Sequence, residues 1–179
     1  MLVRGLTGQD AGEYAALRRE MLADAPWAFA GSLDDDPSCH EGHVRGQLAL
    51  PENVILGAWD GGRLVGGAGV LRNTRVKFRH SAFVWGVYVT PAWRGKGVAR
   101  RLMESAIGVA RGWPGVTVLR LSAGERSHGA RALYGSLGFV VWGVEEERMR
   151  LPGQGEGQAE YHMALMLEGS VRGCGGSSG

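Results

Sequence analysis

The stretch that decides the fold reads Val87-Tyr88-Val89-Thr90-Pro91-Ala92-Trp93-Arg94-Gly95-Lys96-Gly97-Val98-Ala99-Arg100. The apolar run over 82–89 predicts a central strand, and a helix with one apolar face begins near Gly97. The first turn of a helix leaves backbone N–H groups unpaired and carries a partial positive charge, so it binds phosphate well. Because Gly95 and Gly97 lack side chains, a phosphate can reach the backbone. The stretch therefore predicts a phosphate-binding loop between a strand and a helix.

Two familiar phosphate loops do not match this stretch. A Walker loop requires Ser or Thr after Gly-Lys, whereas Gly97 follows Lys96 here. The dinucleotide pattern GxGxxG requires a third glycine at the position that Arg100 occupies. Arg94, Lys96 and Arg100 can neutralise an anionic ligand without making the whole surface basic. The loop therefore belongs to another class of phosphate site.

Outward from the loop, apolar periodicity and turn residues predict a mixed succession of strands and helices. A capping-box pattern at Thr7–Asp10 starts a helix, and Asp60-Gly61-Gly62 joins two strands as a hairpin. The segment 24–46, with its prolines and acidic run, is predicted to be irregular. Strands are predicted at about 54–59, 64–71, 82–89, 116–122, 140–144 and 161–167, and a short helix at 130–137. Such a succession is typical of one α/β or α+β layer domain.

Composition narrows the class of protein. A chain of 179 residues suits a single domain, which we place at 1–168. The Gly- and Ser-rich tail 169–179 has too little apolar surface to pack, so we expect it to be disordered. A net charge of +2 is too small to indicate nucleic-acid binding. No apolar run is long enough to cross a bilayer, and the two cysteines form no disulfide framework. These features predict a cytoplasmic protein with neither nucleic-acid nor membrane partners.

Two motifs resemble those of the GNAT superfamily of N-acetyltransferases. Residues 94–99 match its Arg/Gln-x-x-Gly-x-Gly/Ala signature, and Ser127-x-x-Ala130-x-x-Leu133-Tyr134-x-x-Leu137-Gly138-Phe139 resembles its second motif. The resemblance covers about 1–168. It implies an α/β (α+β) fold with a mixed, mostly antiparallel central sheet and helices on both faces. It also implies that the sheet splays between the strands at about 82–89 and 116–122.

The resemblance further implies how the chain handles acetyl-CoA, its co-substrate. Backbone N–H groups of the loop hold the CoA pyrophosphate, the backbone of Val87–Val89 pairs with the pantetheine arm, and the Val87 N–H faces the thioester oxygen. Tyr134 protonates the leaving thiolate as general acid. Ser127 stands where the family often has Asn to hold the CoA arm, and serine also suits a helix cap. The implied cofactor-binding residues are Val87, Val89, Arg94, Gly95, Lys96, Gly97, Val98, Ala99, Arg100, Ser127 and Tyr134, with no metal.

The general base is harder to assign from sequence. Several family members carry a glutamate on the strand before the loop, whereas Phe83-Val84-Trp85 has no ionisable group. Proton loss through water to a more distant carboxylate or histidine is the remaining route. The candidates are Glu125, His128 and His80, each of which also reads as a solvated loop residue.

Other residues are candidates for the acceptor side. Trp27 and Phe29 suit the walls of an acceptor pocket, with core packing as the alternative, and Glu125 is assigned to the same side. The run Asp34-Asp35-Asp36 either attracts a cationic acceptor or forms a solvated loop. Cys39-His40-x-x-His43 contains metal ligands but fits no familiar zinc spacing.

The predicted reaction is acetyl transfer from acetyl-CoA to a primary amine by direct attack in a ternary complex, with a small-molecule amine favoured as acceptor. Peptide N-termini and protein lysines stay open, because variable loops choose the acceptor in this superfamily. A non-catalytic CoA-binding or regulatory module on the same fold is the alternative from another class, since the strand glutamate is absent. The resemblance also favours a homodimer over a monomer.

Overall fold

The computed structural model describes residues 1–151, 153 and 155–167, and the tail predicted at 169–179 lies outside them. Seven strands and four helices longer than one turn occur along these residues. The elements are β1 (Leu2–Gly5), α1 (Ala11–Asp24), α2 (Glu41–Leu48), β2 (Asn53–Asp60), β3 (Arg63–Arg72), β4 (Ser81–Val89), α3 (Val98–Gly112), β5 (Val118–Gly124), α4 (His128–Ser136), β6 (Val140–Met149) and β7 (Gln158–Met166). No described helix is both long and apolar enough to span a bilayer.

The strands form one sheet in the order β1-β2-β3-β4-β5-β7-β6. Only the pair β4–β5 is parallel among the described strands, and every other neighbouring pair is antiparallel. A parallel pair needs a crossover, and α3 supplies it. The predicted mixed, mostly antiparallel sheet is confirmed.

Each face of the sheet has its own apolar core. On one face α1 and α2 cover β2 and β3, and Tyr14, Met21 and Val44 are fully buried there. On the other face α3 packs through Leu102 and Met103, which are also fully buried. The predicted placement of helices on both faces is therefore confirmed.

The prediction that 24–46 is irregular is wrong at its C-terminal end, where α2 begins at Glu41. This helix has the sequence Glu-Gly-His-Val-Arg-Gly-Gln-Leu, with two glycines and only two apolar residues. Its one buried residue, Val44, packs on α1. Since the helix is held by tertiary contact and not by an amphipathic pattern, periodicity did not reveal it.

The sheet opens between β4 and β5, as the family resemblance implied. These strands pair only where Ser81–Phe83 meet Val118–Arg120, and no pairing continues beyond. On its other side β4 contains a bulge, since the register to β3 gives no partner to Gly86 or Val87. Gly86 has φ +62°, a left-handed conformation that glycine adopts without strain. The bulge and the lost pairing leave the C-terminal half of β4 free on its β5 side.

Candidate active site

The opening between β4 and β5 leads into a cavity of about 490 Å³. Strand β4 and the start of the glycine loop form one wall, and β5 with α4 forms the other. The segment after α1 closes one end. The lining residues are Ala25, Trp27, Ala28, Phe29, Val84, Trp85, Gly86, Val87, Tyr88, Val89, Arg94, Gly95, Ala99, Leu121, Ser122, Ala123, Ser127, Gly129, Ala130, Leu133 and Tyr134.

The glycine loop connects this cavity to the start of α3. Gly95 has φ +73° and Gly97, the N-cap of α3, has φ +77°. Apart from the adjoining residues of the loop, no described protein atom lies within 4 Å of the position that a Cβ would take at either glycine. The backbone here is open to an anionic group at the positive end of a helix of 15 residues. The loop thus has the conformation that a phosphate site requires, and the Val98 side chain that follows it is almost fully buried.

The three loop cations differ in how they are held. Arg94 donates from Nε to the Val89 carbonyl at 3.0 Å and forms an ion pair with Asp24 at the end of α1. Arg100 donates to Ser136 Oγ at 2.7 Å, which ties α3 to α4. The Lys96 ammonium lies 4.6 Å from the centre of the Trp93 ring. Arg94 therefore fastens the loop to α1 and Arg100 ties α3 to α4, whereas Lys96 contacts only a ring within the loop segment.

Tyr134 projects from α4 into the cavity and is 5% exposed. Its ring packs against Phe139, with 6.1 Å between ring centres. Burial raises the pKa of the Tyr134 hydroxyl above its ordinary value of about 10. The phenol therefore holds its proton at neutral pH and can donate it to a leaving group in the cavity.

Aromatic side chains after α1 close one end of the cavity. Trp27 is half-buried, and the buried Phe29 packs edge-on against Tyr88 with 6.3 Å between ring centres. The Arg18 guanidinium lies 5.1 Å from the centre of the Phe29 ring. Arg18 in turn donates to Asp36 Oδ2 from Nη2 at 2.6 Å and from Nε at 3.1 Å. A buried ion pair thus supports the aromatic wall from behind.

Comparison with known proteins decides the family. The sequence model of the acetyltransferase (GNAT) family matches residues 15–139. The chain belongs to the GNAT acetyltransferase family. It is 33% identical over 153 residues to the N-alpha-acetyltransferase RimI of Mycobacterium tuberculosis, a match that covers 84% of this chain and 85% of the relative. This GNAT protein is an acetyl-CoA-dependent N-acetyltransferase.

Solved GNAT structures have the same fold. The structure of yncA from Salmonella typhimurium, a putative acetyltransferase with its cofactor acetyl-CoA, is 22% identical with a TM-score of 0.81, and the match covers 96% of each chain. The ribosomal-protein-alanine N-acetyltransferase of Brucella melitensis is 25% identical with a TM-score of 0.73, over 93% of this chain and 100% of that one. Acetyl-CoA is the co-substrate of the GNAT fold, and the open glycine loop and the splayed strands described above fit it.

Some residues assigned to the GNAT site from sequence do not line the cavity. Glu125, His128 and His80 are exposed and absent from its lining. His80 precedes β4 at the paired end of the opening, and its carbonyl accepts hydrogen bonds from residues 117 and 118. His128 Nδ1 lies 2.7 Å from a guanidinium nitrogen of Arg131. The geometry brings none of the three to the GNAT cavity as a base.

The acidic run of the GNAT chain does not act as one unit. Asp36 is buried against Arg18, with side chains 8% and 9% exposed. Asp35 accepts a hydrogen bond from the Ser32 N–H at 2.6 Å, and Asp34 is exposed. Asp36 therefore supports the fold, and the interpretation of the whole run as a cation-attracting patch is not supported by its geometry.

Sequence reasoning also missed two groups of carboxylates next to the GNAT cavity. Glu20 and Asp24 lie one turn apart on α1, and both accept from the Tyr88 hydroxyl, at 3.2 and 3.1 Å. Glu160 on β7 accepts from Ser122 Oγ at 2.8 Å. The i, i+4 spacing of the first pair was a usable signal. The second contact depends on the pairing of β5 with β7, which the sequence pattern alone does not define.

Proposed function

We propose that this enzyme acetylates the N-terminal α-amine of a peptide or protein by direct attack on acetyl-CoA in a ternary complex. The observation that carries the proposal is the 33% identity over 84% of the chain to an N-alpha-acetyltransferase. The cavity supports it, because its lining is mostly apolar and Arg94, the one cation among the described residues that line it, is paired with Asp24. Such a cavity suits a neutral chain that enters with its amine first.

The donor side of the proposed reaction depends mainly on positioning. The loop backbone and the start of α3 bind the pyrophosphate, with Lys96 and Arg100 adding charge, and Ser127 and Val89 line the path of the pantetheine arm. Acetyl-CoA supplies the acetyl group as a thioester. We assign the Val87 N–H to the thioester oxygen, where it stabilises the negative charge that develops on attack.

The acid in the proposed reaction is Tyr134, which protonates the leaving thiolate. A covalent route through cysteine is not supported by Cys39, because that thiol is buried behind α1 and does not line the cavity. Burial also raises the pKa of the Cys39 thiol, which disfavours the nucleophilic thiolate. Direct attack by the amine is therefore the simpler path.

A small-molecule amine, favoured from sequence, remains the second candidate acceptor. Trp27 and Phe29 line the end of the cavity that we assign to the acceptor, and an aromatic wall of this kind encloses a compact ligand well. Glu125 lies outside that wall, and we assign it no role.

An acceptor panel separates these two candidates. Wild-type enzyme is given acetyl-CoA with tetrapeptides that differ in their first residue, and the same peptides blocked at the N-terminus are the control. Amino acids, polyamines and aminoglycosides make up the small-amine arm. Thiol release is measured for every acceptor. We expect kcat/KM for the best free peptide to exceed that of the best small amine by about 100-fold, or about 2.7 kcal/mol of transition-state binding. A small amine that matches or exceeds the best peptide would refute the peptide proposal.

Reversing two loop cations should weaken the donor site selectively. For Lys96→Glu combined with Arg100→Glu, we expect acetyl-CoA affinity to fall by more than about 100-fold, because each lost charge-assisted phosphate contact contributes about 1.5–3 kcal/mol and two are lost. Lys77→Glu combined with Arg111→Glu makes the same change in net charge at exposed positions away from the loop and is the control. Calorimetry with acetyl-CoA measures both. Equal affinities for the two double variants would contradict the assignment.

We further propose that residues 1–168 form a single domain and that two copies associate. The single domain is supported by the one sheet that contains all seven strands, β1 to β7.

The association of two copies is supported by the edge strand β6, where Val140 and Trp142 are 68% and 63% exposed. Light scattering on the purified protein measures the number of copies.

A further inference from the structure

The acceptor amine must lose a proton before it attacks, and the cavity contains no obvious base. An α-amine has a pKa of about 8 and a lysine-like amine of about 10.4, so both are largely protonated at neutral pH. Among the described residues that line the cavity, none is a carboxylate or a histidine. The proton therefore has to leave through a lining hydroxyl or water to a group behind the wall.

Ser122 is such a hydroxyl. It lies on β5 beyond the point where pairing with β4 ends, and it lines the cavity. Its Oγ donates to Glu160 Oε1 at 2.8 Å, from β5 to the neighbouring strand β7. The serine lone pairs stay available to accept from the cavity side. The Glu160 side chain is 20% exposed, so a proton that reaches it can pass to solvent.

We propose that Glu160, acting through Ser122, is the proton outlet for the acceptor amine. The ammonium donates one proton to Ser122 Oγ while the serine proton moves to the Glu160 carboxylate. The neutral nitrogen then forms the C–N bond, and the C–S bond breaks as Tyr134 gives its proton to the thiolate. Nitrogen loses its second proton as the amide forms, and this restores the proton that Tyr134 gave. Ser122 touches the amine, and Glu160 is a positioning residue that acts through it.

Glu160 lies in a cluster of charged and titratable side chains on β6 and β7. Arg148 on β6 lies 3.2 Å from Glu160 and 3.4 Å from Glu145, and His162 on β7 lies 3.3 Å from Glu145. The same three groups, Glu145, Glu160 and His162, have ligand atoms within 4.8 Å of one another. The Arg148 guanidinium is the cation that both carboxylates share. Arg148 holds the Glu160 carboxylate in place beside Ser122.

A second route through the wall runs from Tyr88 to Glu20 and Asp24, and the geometry favours it less. Asp24 is already paired with Arg94, and Tyr88 lies between Phe29 and the Arg94 guanidinium, which is 5.5 Å from its ring centre. Arg94 begins the phosphate loop, so a proton on Asp24 would break the ion pair that fastens this loop to α1. Glu20→Gln is therefore a decisive comparison.

The test measures kcat/KM of Glu160→Gln and Ser122→Ala against pH, with an acceptor of known pKa. For Glu160→Gln we expect a loss of about 100-fold at pH 7, at the low end of what a general base contributes. The loss should shrink to a few-fold as the pH passes the pKa of the amine, because the amine then deprotonates in solution. It should also be smaller for acceptors of lower pKa. Ser122→Ala should show the same pH dependence, and the double variant should be no slower than either single one.

Controls separate this role from a structural one. Glu145→Gln changes a carboxylate of the same cluster that does not contact Ser122, and it should stay within about threefold of wild type at every pH. A loss for Glu160→Gln that is constant with pH would overturn the proposal, and so would a pH-dependent loss in Glu20→Gln instead. The inference rests on the amine entering this cavity. If the wild-type enzyme acetylates no amine, the proposed function itself is wrong. If the wild-type enzyme is active but the loss of kcat/KM in Glu160→Gln does not change with pH, only the proton outlet is rejected.

Discussion

Tyr134→Phe should lower kcat by about 10²- to 10⁴-fold, the range that a positioned general acid contributes. Removing the hydroxyl leaves the ring, so packing against Phe139 and the shape of the cavity are kept. Acetyl-CoA affinity should therefore change by less than about threefold, because the lost interaction forms only as the thiolate departs. Steady-state thiol release measures turnover, and calorimetry measures binding.

The matched control for Tyr134→Phe is Tyr161→Phe. Tyr161 lies on β7 with its ring centre 4.0 Å from the Arg131 guanidinium, and it does not line the cavity. We expect its kcat to stay within about threefold of wild type. Because burial raises the pKa of Tyr134, the phenol stays protonated at every pH up to its ordinary pKa of about 10. Titration of Tyr134 should therefore cause no loss of activity below that pH. Equal turnover in Tyr134→Phe and wild type would leave Tyr134 as a packing residue only.

Local sequence was sufficient where the site is built from one continuous segment. The glycine loop, the start of α3 and the strand before it lie within residues 82–100, so their chemistry could be interpreted without tertiary information. The opening of the sheet between β4 and β5 followed from the family resemblance. The bulge at Gly86 on the other side of β4 depends on a register to β3 that the sequence does not define.

Contacts between distant segments could not be predicted in this way. Glu160 lies next to Ser122 only because β5 pairs with β7 in a particular register, and a shift of one residue would reverse the face of every side chain. Sequence reasoning began the last strand at about 161, whereas β7 begins at Gln158 and includes Glu160. The search for a base near the motifs therefore pointed to Glu125 and His128, which lie close in sequence and outside the cavity.

The partner of Asp36 could not be predicted from sequence either, because the buried ion pair joins it to Arg18 on α1. Replacing Asp36 should be among the most destabilising single changes. Asp36→Ala leaves the buried Arg18 guanidinium without its counter-ion, and breaking such a pair costs about 3–5 kcal/mol. It also removes the acceptor for the Ser38 N–H, at 2.8 Å. Urea unfolding measures the loss in free energy. Asp34→Ala, an exposed neighbour in the same acidic run, is the control and should stay within about 0.5 kcal/mol.

Replacing both members of the pair distinguishes an unpaired charge from lost packing. Arg18→Met combined with Asp36→Leu exchanges two charges for apolar side chains, and we expect it to recover most of the stability lost in Asp36→Ala, because desolvation offsets much of the attraction within a buried pair. Arg18 also supports the ring of Phe29, so Asp36→Ala should raise KM for the acceptor while acetyl-CoA affinity is kept. A double variant less stable than Asp36→Ala would show that the pair itself, and not the avoidance of an unpaired charge, stabilises this wall.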